Sequence, residues 1–384
     1  MRGNERSITP PPLKRRKVEV SEHQSTPEVP AHSSQAAITL YSWNVNGIAP
    51  FIQASITSFF NSPNETSPAQ KASLRDFLRR HDWPTMLFLQ EVKIPWGDES
   101  TIRAVEKAIQ LRKEEASDAP EYLARFCLPS DSYNAKGFGG KVYGVCSIVR
   151  KDFYDACVTR VRPVEWDSEG RFLVIETEPA LGMPKLAYVN IYAVNGTSNP
   201  YKDPIDGTIA GTRHDRKLQV HRLLAAECRK LQAQGYSVVL AGDMNIARAK
   251  IDGHPNLRTH PHQHSVNRAD FETRFFGDTS MSASKQSDNE TACAGSTENA
   301  NANGAISGLG MIDAFRTLHP KQKGYTYYPR TRNFGDSCDR VDMILISGDL
   351  ETSLVDAGMH STPAERGPSD HVPLFARLRF TQQW

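Results

Sequence analysis

The chain has 384 residues, of which 39% are hydrophobic and 23% charged, values that are ordinary for a globular enzyme with a large buried core. Its 46 basic and 44 acidic residues leave a formal charge of +2, so any phosphate-binding face must be local. No stretch is apolar enough to span a membrane, and the six cysteines show no paired spacing. We therefore expect an intracellular protein without membrane attachment, disulfide framework or Cys-based zinc site.

The first 36 residues are rich in Pro, Ser, Gln and charge and lack apolar periodicity, so we predict a disordered tail at residues 1–36. Residues 10–18 contain a proline run followed by four cations, which is the form of a nuclear import signal. A solvated charge cluster or a weak DNA-contacting arm is the alternative. We expect a nuclear protein with one catalytic domain at residues 37–384.

Short apolar, β-branched runs bounded by turn residues predict the strands of this domain, at residues 38–45, 85–92, 142–149, 172–177, 186–194, 238–241 and 343–347. Helical periodicity predicts helices at residues 73–80, 101–115 and 216–233. Strands mixed with helices in this way indicate a layered α/β core. Residues 279–307 hold almost only small and polar side chains, which predicts a disordered insertion.

Polar side chains appear abruptly at the ends of several predicted strands. They are Asn44 and Asn46, Gln90 and Glu91, Tyr192 and Asn195, and Asp243 and Asn245. A layered α/β core gathers strand ends at one edge, so these groups are expected to converge in a single cleft. For each residue alone, a turn or capping role is the simpler interpretation.

The carboxylates at these strand ends have no equal set of nearby cations, and a buried carboxylate is costly unless it is paired or bound to a metal. A hard divalent cation would offset the excess. The donors are oxygen and amide groups, with no Cys pair and no HExxH motif. This donor set favours Mg²⁺, with Mn²⁺ as the alternative, over zinc.

The C-terminal part of the chain supplies acid–base partners. Asp342 opens an apolar strand, and Asp370 and His371 lie in a Pro-bounded segment that precedes another strand. Asp342 could fix the tautomer of His371 and raise its basicity, as a general base that deprotonates water requires. Taken alone, His371 is as readily a structural histidine held in a turn.

Five motifs follow one another along the chain: Trp43-Asn44-Val45-Asn46-Gly47, Leu89-Gln90-Glu91-Val92-Lys93, Gly242-Asp243-Met244-Asn245, Arg340-Val341-Asp342 and Ser369-Asp370-His371. In this order they resemble the exonuclease III-like abasic (AP) endonuclease family of the endonuclease/exonuclease/phosphatase (deoxyribonuclease I-like) superfamily. The resemblance covers residues 38–380. It implies a four-layered α/β sandwich, in which two packed mixed β-sheets are flanked by helices.

The resemblance also implies roles for the motif residues. Asp243 would activate the attacking water, His371 would act on the scissile phosphate and Asp342 would orient His371, with Tyr192 and Asn245 completing the catalytic group. Asn44 and Asn195 would contact the phosphate, although the family usually has proline where Val194 precedes Asn195. The implied metal ligands are Glu91, the main one, with Asn46, Asp243, Asn245, Asp370 and His371.

Substrate is indicated by further fragments. Gly170-Arg171-Phe172-Leu173-Val174 and the glycine-rich residues 137–145 resemble the abasic-endonuclease branch more than the inositol-phosphatase or sphingomyelinase branches. We therefore expect a monomeric, Mg²⁺-dependent enzyme of base-excision repair that cleaves double-stranded DNA at abasic sites, with accompanying 3′-5′ exonuclease or 3′-phosphodiesterase activity.

One position departs from the family pattern. Asp339 stands just before the Arg-x-Asp motif, where abasic endonucleases usually have an aromatic residue in the pocket wall, while Tyr327 is a candidate for another pocket aromatic. Two alternatives follow. One is a broader nuclease or phosphatase of the same superfamily, and the other is a nucleic-acid-binding protein whose catalysis has lapsed.

Overall fold

The computed structural model describes residues 36–52, 72–137, 141–277 and 308–380. The predicted import signal, residues 1–35 of the predicted tail and the whole of the predicted insertion lie outside these ranges, as does Cys293. The five described cysteines are buried and free. Within the described ranges, no helix is both long and apolar enough to cross a membrane.

The first of two six-stranded mixed sheets has the strand order β17-β18-β1-β2-β6-β3. Its strands are β1 (Ala36–Asn44), β2 (Met86–Gln90), β3 (Tyr122–Cys127), β6 (Val145–Arg150), β17 (Leu354–Met359) and β18 (Leu374–Phe380). β1 runs parallel to β2, with Asn44 opposite Gln90, and antiparallel to β18. The two strands that lead into Asn46 and Glu91 therefore end side by side.

The second six-stranded sheet has the order β14-β16-β12-β9-β8-β7. Its strands are β7 (Val158–Pro163), β8 (Phe172–Thr177), β9 (Leu186–Tyr192), β12 (Ser237–Asp243), β14 (Met311–Asp313) and β16 (Asp342–Ser347). β12 is parallel to β9 and antiparallel to β16. This arrangement brings the ends of β9 and β12 to the start of β16.

Short strand pairs decorate the loops of the described fold. They are β4 (Lys136–Gly137) with β5 (Lys141–Val142), β10 (Pro200–Lys202) with β11 (Ile209–Thr212), and β13 (Gly253–His254) with β15 (Cys338–Asp339). The last pair links the segment after β12 to the residues just before β16.

The described helices are α1 (Ala49–Ile52), α2 (Leu74–Arg80), α3 (Glu99–Ala108), α4 (Lys151–Cys157), α5 (Arg213–Ala233), α6 (Gln263–Phe275), α7 (Ala314–Leu318) and α8 (Pro363–Arg366). α5 begins with a capping box, in which Thr212 and Asp215 satisfy each other's backbone N–H groups. The predicted helix at residues 216–233 is therefore confirmed, with an earlier start fixed by this cap.

Three buried apolar clusters define four layers. One cluster lies between the sheets and contains Leu40 and Phe88 of the first sheet with Val239 of the second. A second joins the outer face of the first sheet to α2 and α3, and a third joins the second sheet to α5 and α6. Alternation along each strand explains the layering, because successive side chains point to opposite faces. The predicted four-layered α/β sandwich is thus confirmed.

Two predicted elements are wrong in extent. The helix predicted at residues 101–115 ends at Ala108, because the Glu115 side chain turns away to form an ion pair with buried Arg75 at 2.7 Å. The strand predicted at residues 142–149 is interrupted at Gly144, whose φ of +104° favours glycine, and a new strand starts at Val145. Long-range contacts and a turn residue override the local pattern in these two places.

Strand ends also differ from prediction around the motifs. The strand predicted at residues 186–194 ends at Tyr192, and the one predicted at residues 85–92 ends at Gln90. Sequence patterns missed β3, β7, β14 and β17, which are short or half exposed and lack a continuous apolar run. The ends at Tyr192 and Gln90 matter most, because the residues that follow them leave the sheets and enter the cleft.

Candidate active site

Strand register aligns three of the predicted catalytic side chains at the edge of the second sheet. In β12, Asp243 lies opposite Tyr192 of parallel β9 and opposite Asp342 of antiparallel β16. Gly242, just before Asp243, has a φ of +151°, and a Cβ there would lie 1.9 Å from the Ile191 carbonyl oxygen. Glycine is therefore required for β12 to lie close enough to β9 to bring this row together.

The edge of the first sheet meets this row directly. Asn44 Nδ2 donates to Asp243 Oδ2 at 3.0 Å, which joins the ends of β1 and β12 across the two sheets. A polar cavity of about 260 Å³ opens at this junction. Among the predicted site residues, its lining includes Asn44, Glu91, Tyr192, Asn195, Asp243, Asn245, Asp370 and His371. The expected convergence is therefore observed for six of the eight strand-end residues, whereas Asn46 and Gln90 are not among the lining residues and Gln90 donates to Asn190 at 2.8 Å.

The Asp342–His371 pair is buried directly behind this cavity. His371 Nδ1 lies 2.7 Å from Asp342 Oδ2. The His371 backbone is held as well, because its N–H donates to Ser369 Oγ at 3.0 Å and its carbonyl accepts from Trp43 Nε1 at 3.0 Å. Asp342 is positioned through its own N–H, which donates to Thr326 Oγ1 at 3.0 Å. The pair has the geometry that the sequence predicted.

Three carboxylates around His371 determine its charge. Burial by itself lowers the pKa of His371, but Asp342, Asp243 and Asp370 outweigh burial and raise the pKa to about 10. His371 therefore carries a proton at neutral pH and presents Nε2–H as a donor. This state favours the role of acting on the scissile phosphate over the role of general base, which was the first interpretation of the Asp–His pair.

Asp243 is the better base at neutral pH. Burial raises the pKa of Asp243 to about 7, the Asp342 charge adds to the effect, and His371 opposes it. Its Oδ1 accepts the Asn245 N–H at 2.8 Å, and its Oδ2 accepts from Asn44 and, at 3.3 Å, from Asn245 Nδ2. A carboxyl group with this pKa exchanges protons near pH 7, as water activation requires.

A second set of oxygen donors comprises Glu91 and Asp370, which line the cavity, and Asn46, which is not among its lining residues. Asn46 Nδ2 donates to Asp370 Oδ1 at 2.9 Å. Lys93 Nζ lies 3.3 Å from Glu91 Oε1 and also contacts the Asn46 side-chain oxygen. Asn46, Glu91 and Asp370 therefore form one connected group, with Lys93 as its neighbouring cation.

The backbone at these residues is unusual. Asn46, Glu91, Lys93 and Asn245 have φ between 51° and 56°, which is rarely adopted by non-glycine residues. Asparagine tolerates this conformation, whereas glutamate and lysine seldom do so. Such conformations concentrate at functional sites, where the surrounding fold holds them against their local preference.

Carboxylate and histidine ligand atoms lie within 4.8 Å of one another in one described group, Asp243, Asp342 and His371. Asp342 and His371 are already bonded to each other, so this group is better suited to moving protons. Asn46, Glu91 and Asp370 offer hard oxygen donors with Lys93 as the sole cation bonded to them among the described residues. This second donor set fits Mg²⁺ or Mn²⁺.

An orphaned atom supports the presence of a further positive charge in this region. Asp342 Oδ1 is buried and has no hydrogen-bond partner among the described residues. Together with Asp243, Asp370 and Glu91, it makes four carboxylates whose ion-pair partners among the described residues are His371 and Lys93, although Lys217, Arg258 and Arg268 also line the cavity. The donor chemistry and this excess of negative charge both fit a divalent cation.

Tyr192 and Asn195 occupy different environments. Tyr192 is buried, and burial raises its pKa well above the ordinary value. The guanidinium of Arg171 lies over its ring at 4.8 Å and pairs with Glu169 at 2.9 Å. The predicted Gly-Arg fragment therefore acts as a buried support for Tyr192, while Asn195 is exposed and lines the cavity.

Sequence patterns missed Lys217, which also lines the cavity. Its side chain is buried, and Nζ donates to the carbonyls of Val194, Met244 and Asn245 at 3.0, 3.3 and 2.8 Å. Burial lowers the pKa of Lys217 to about 7. Lys217 thus ties together the two loops that carry Asn195 and Asn245. A lysine in an amphipathic helix is normally solvent-exposed, so the sequence held no signal for this role.

Arg258, His264 and Arg268 line another side of the cavity and were also missed. They come from the loop after β13 and from α6. The available signal was composition, since residues 254–268 contain four histidines and two arginines. A basic run shortly after the Asp243 motif could have indicated a phosphate-facing loop.

The comparisons with known proteins agree with this geometry. The sequence profile of the Endonuclease/Exonuclease/phosphatase family matches residues 41–371. No curated protein sequence matches the chain.

Solved structures with a similar fold include an AP endonuclease from Archaeoglobus fulgidus, with 19% identity, a TM-score of 0.54, and coverage of 88% of this chain and 98% of that one. The catalytic domain of APE2 from Xenopus laevis has 18% identity and a TM-score of 0.55, covering 90% of this chain and 93% of that one. The 3′ phosphatase NExo from Neisseria, bound to a product DNA hairpin, has 18% identity and a TM-score of 0.53, covering 90% and 100%. At these identities the likeness establishes the fold.

Proposed function

Because this chain belongs to the endonuclease/exonuclease/phosphatase family, we propose that it is a Mg²⁺-dependent phosphodiesterase that cleaves double-stranded DNA at abasic sites. The observation that carries the proposal is one cavity lined by Asp243, His371, Glu91 and Asp370, with Asp342 bonded to His371 and Asn46 bonded to Asp370. Hydrolysis of a phosphodiester needs both a base for water and positive charge for the phosphate.

The metal would be held by Glu91, Asp370 and Asn46, with Mn²⁺ as an alternative to Mg²⁺. A bound divalent cation supplies charge neutralisation for the phosphate and for the leaving oxygen. Asp243 and Asn245 would serve the attacking water, and His371 would act on the phosphate. The six ligand residues that the resemblance implies are thus divided into a metal-holding group, a water-activating group and His371.

The chain's own residues account for the remaining steps. Asp243 accepts a proton from the attacking water, since its pKa of about 7 allows proton uptake at neutral pH. His371, held by Asp342, donates Nε2–H to a phosphate oxygen. Asn44, Asn195 and Tyr192 line the cavity and supply further donors for the phosphate. Preorganised donors in a buried site stabilise the charge that develops in the transition state.

The abasic-site preference rests on the sequence fragments and on neighbours named as AP endonucleases. A 3′-5′ exonuclease or 3′-phosphodiesterase activity would use the same residues. Action as a monomer in nuclear base-excision repair stays a prediction, and its nuclear part rests on the basic run in residues 10–18. The division into a tail at residues 1–36 and a catalytic domain at residues 37–384 is likewise a prediction.

A second candidate is a broader nuclease or 3′ phosphatase of the same family. The observation that favours it is the polar cavity wall at Asp339, which pairs with Arg258 at 3.1 Å. An apolar wall suits a sugar that lacks its base, whereas a charged wall suits a more polar group. The neighbour from Neisseria is named as a 3′ phosphatase.

The two candidates are separated by incubating the protein and Mg²⁺ with three labelled duplexes: one with an abasic-site analogue, one with a nick whose 3′ end is blocked, and one intact. The controls are His371→Ala and His319→Ala, the latter removing a histidine that bonds the Ala357 carbonyl outside the cavity. Incision 5′ to the lesion by wild type and His319→Ala alone supports the abasic endonuclease. Equal cleavage of all duplexes favours the broader enzyme, and no Mg²⁺-dependent cleavage contradicts a DNA substrate.

A further inference from the structure

An exposed arginine is paired with a buried carboxylate in the wall of the cavity. Arg258 Nη2 lies 3.1 Å from Asp339 Oδ2, with 60% of the Arg258 side chain exposed and 12% of the Asp339 side chain exposed. Burial raises the pKa of Asp339, and Arg258 opposes the shift. Half-exposed ion pairs of this kind contribute little to stability. Replacing Asp339 by another anion as the partner of Arg258 therefore costs little free energy.

The pair lies beside the proton-transfer group. The Tyr327 N–H donates to the Asp339 carbonyl at 2.9 Å, and Tyr327 also forms a backbone bridge to His371. The Tyr327 ring lies 5.0 Å from the His371 ring. Asp339 is thus a strand neighbour of Tyr327, which contacts His371, and Arg258 and His371 both line the cavity.

The backbone that carries Arg258 is held in place. Arg268 Nη2 donates to the Arg258 carbonyl at 2.8 Å, and Arg268 Nε donates to the Ala247 carbonyl at 2.7 Å. The Gly253 end of the same loop is paired with Asp339 through β13 and β15. The backbone that carries Arg258 is therefore fixed, and the Arg258 side chain can change partners while the loop stays ordered. Binding then avoids the entropic cost of ordering a loop.

The charges along the cavity are segregated. Glu91, Asp243 and Asp370 lie at the donor end described above, whereas Arg258 and Arg268 come from the other wall. A guanidinium matches the geometry of a phosphate through two parallel hydrogen bonds. A polynucleotide places a second phosphate beside the scissile one, but a small phosphoester does not.

We propose that Arg258 binds the phosphate adjacent to the scissile phosphate, and that Asp339 is an internal substitute for that phosphate in the free protein. The inference deepens the proposed function and rests on it: it assigns the site to polynucleotides that continue past the scissile bond. Asp339 competes with the adjacent phosphate for Arg258, whereas a substrate that lacks this phosphate leaves the Arg258–Asp339 pair intact and gains no binding energy from Arg258. The pair acts on substrate selection and leaves the hydrolytic step unchanged.

The test compares Arg258→Gln and Asp339→Asn with Arg377→Gln, which removes a half-exposed arginine paired with Asp356 on β17 and β18. Binding of the full chain to a fluorescent duplex is measured in EDTA over a range of salt concentrations. Arg258→Gln is expected to weaken binding about tenfold. The slope of the logarithm of the binding constant against the logarithm of the salt concentration should become shallower by about 0.9, the value for one lost phosphate contact. Asp339→Asn is expected to tighten binding, and Arg377→Gln to change neither quantity.

Neutral methylphosphonate linkages identify the phosphate. Substitution at one linkage beside the scissile bond should weaken wild-type binding about tenfold and should cost Arg258→Gln nothing further. Hydrolysis of bis(4-nitrophenyl) phosphate, which has no adjacent phosphate, should fall much less in Arg258→Gln than duplex binding does. Equal losses from methylphosphonates in wild type and Arg258→Gln would overturn the proposal, as would an Arg258→Gln affinity no lower than that of Arg377→Gln. Failure of the proposed function would be distinct, since wild type would then cleave neither DNA nor the small diester in Mg²⁺.

Discussion

Two buried charge clusters adjoin Val341, and they are built in opposite ways. On one side, Arg340 pairs with Asp252 at 2.7 Å and with Asp313 at 2.7 Å. Arg316 and Arg248 complete this cluster through Asp252, Asp313 and Glu272, so three guanidinium groups meet three carboxylates. On the other side, His371 is the one cationic partner that Asp342 has within the described part of the chain.

The difference distinguishes a structural cluster from a functional one. The Arg340 cluster is balanced in charge, and Arg340 bonds Asp313 through two parallel N–H groups and Asp252 through Nε. The cavity cluster keeps an excess of carboxylates and one orphaned oxygen, Asp342 Oδ1. A fold gains nothing from an unbalanced buried charge, so the excess is explained by an outside cation and by chemistry.

A second comparison involves the same two chemical groups. His221 Nδ1 bonds Asp270 at 2.9 Å, much as His371 bonds Asp342. Burial lowers the pKa of His221 to about 4, although the bond to Asp270 acts in the opposite direction. Around His371, three carboxylates outweigh the effect of burial and raise the pKa. The number of surrounding charges therefore decides the protonation state, and the pair itself does not.

The largest expected effect comes from removing the base in the unbalanced cluster. Asp243→Asn should lower kcat on an abasic duplex roughly a thousandfold, as expected for loss of a general base. The free energy of unfolding should stay the same or rise, because an excess buried charge is removed. Single-turnover kinetics and urea unfolding test both parts. An Asp243→Asn protein that is fully active would exclude the proposed role of Asp243.

Removing Arg340 from the balanced cluster should have the opposite effect to Asp243→Asn: a loss of stability with little loss of catalytic rate. Arg340→Met leaves Asp252 and Asp313 short of a partner, so the free energy of unfolding should fall by about 3–5 kcal/mol. The rate per folded molecule should be much less affected than in Asp243→Asn. Urea unfolding combined with active-site titration separates the two. A large rate loss without a stability loss would show that the Arg340 cluster takes part in function.

Metal binding should stabilise the folded protein only through the carboxylates that line the cavity. Mg²⁺ at about 100 times its Kd should stabilise the wild type by about 2.7 kcal/mol. Glu91→Gln should lose most of this gain, whereas Asp76→Asn, which removes a surface carboxylate paired with Arg112, should keep it. Thermal unfolding with and without EDTA measures the gain. Equal stabilisation of Glu91→Gln and wild type would contradict the assigned ligand.

The smallest expected effect concerns the His221–Asp270 pair. The pKa of His221 is lowered from 6.5 to about 4, so between these values the unfolded chain takes up a proton that the folded chain refuses. Stability should therefore fall as pH decreases from about 7 to 5, with His221 contributing about 1–2 kcal/mol of the loss. Urea unfolding of wild type and His221→Gln across this range tests it. Identical pH slopes in the two proteins would refute the assignment.

Much of the fold and of the site followed from sequence alone. Local apolar runs are sufficient to locate buried strands, and residues 172–177 were predicted with the bounds of β8. The motif residues Asn44, Glu91, Asp243 and His371 were identified because glycine turns and polar strand ends leave a local pattern in the chain. Their order along the chain indicated the family and hence the four layers.

Only the tertiary structure decided which charges meet. Lys217 binds carbonyls of two separate loops, and Arg258 finds Asp339 across 81 residues of chain. The protonation of His371 likewise depends on three carboxylates from different segments. Such contacts are set by strand register and by packing between layers, which residue patterns in a short window do not encode. The sequence therefore determined the kinds of groups at this site, and the fold determined their partners and their charges.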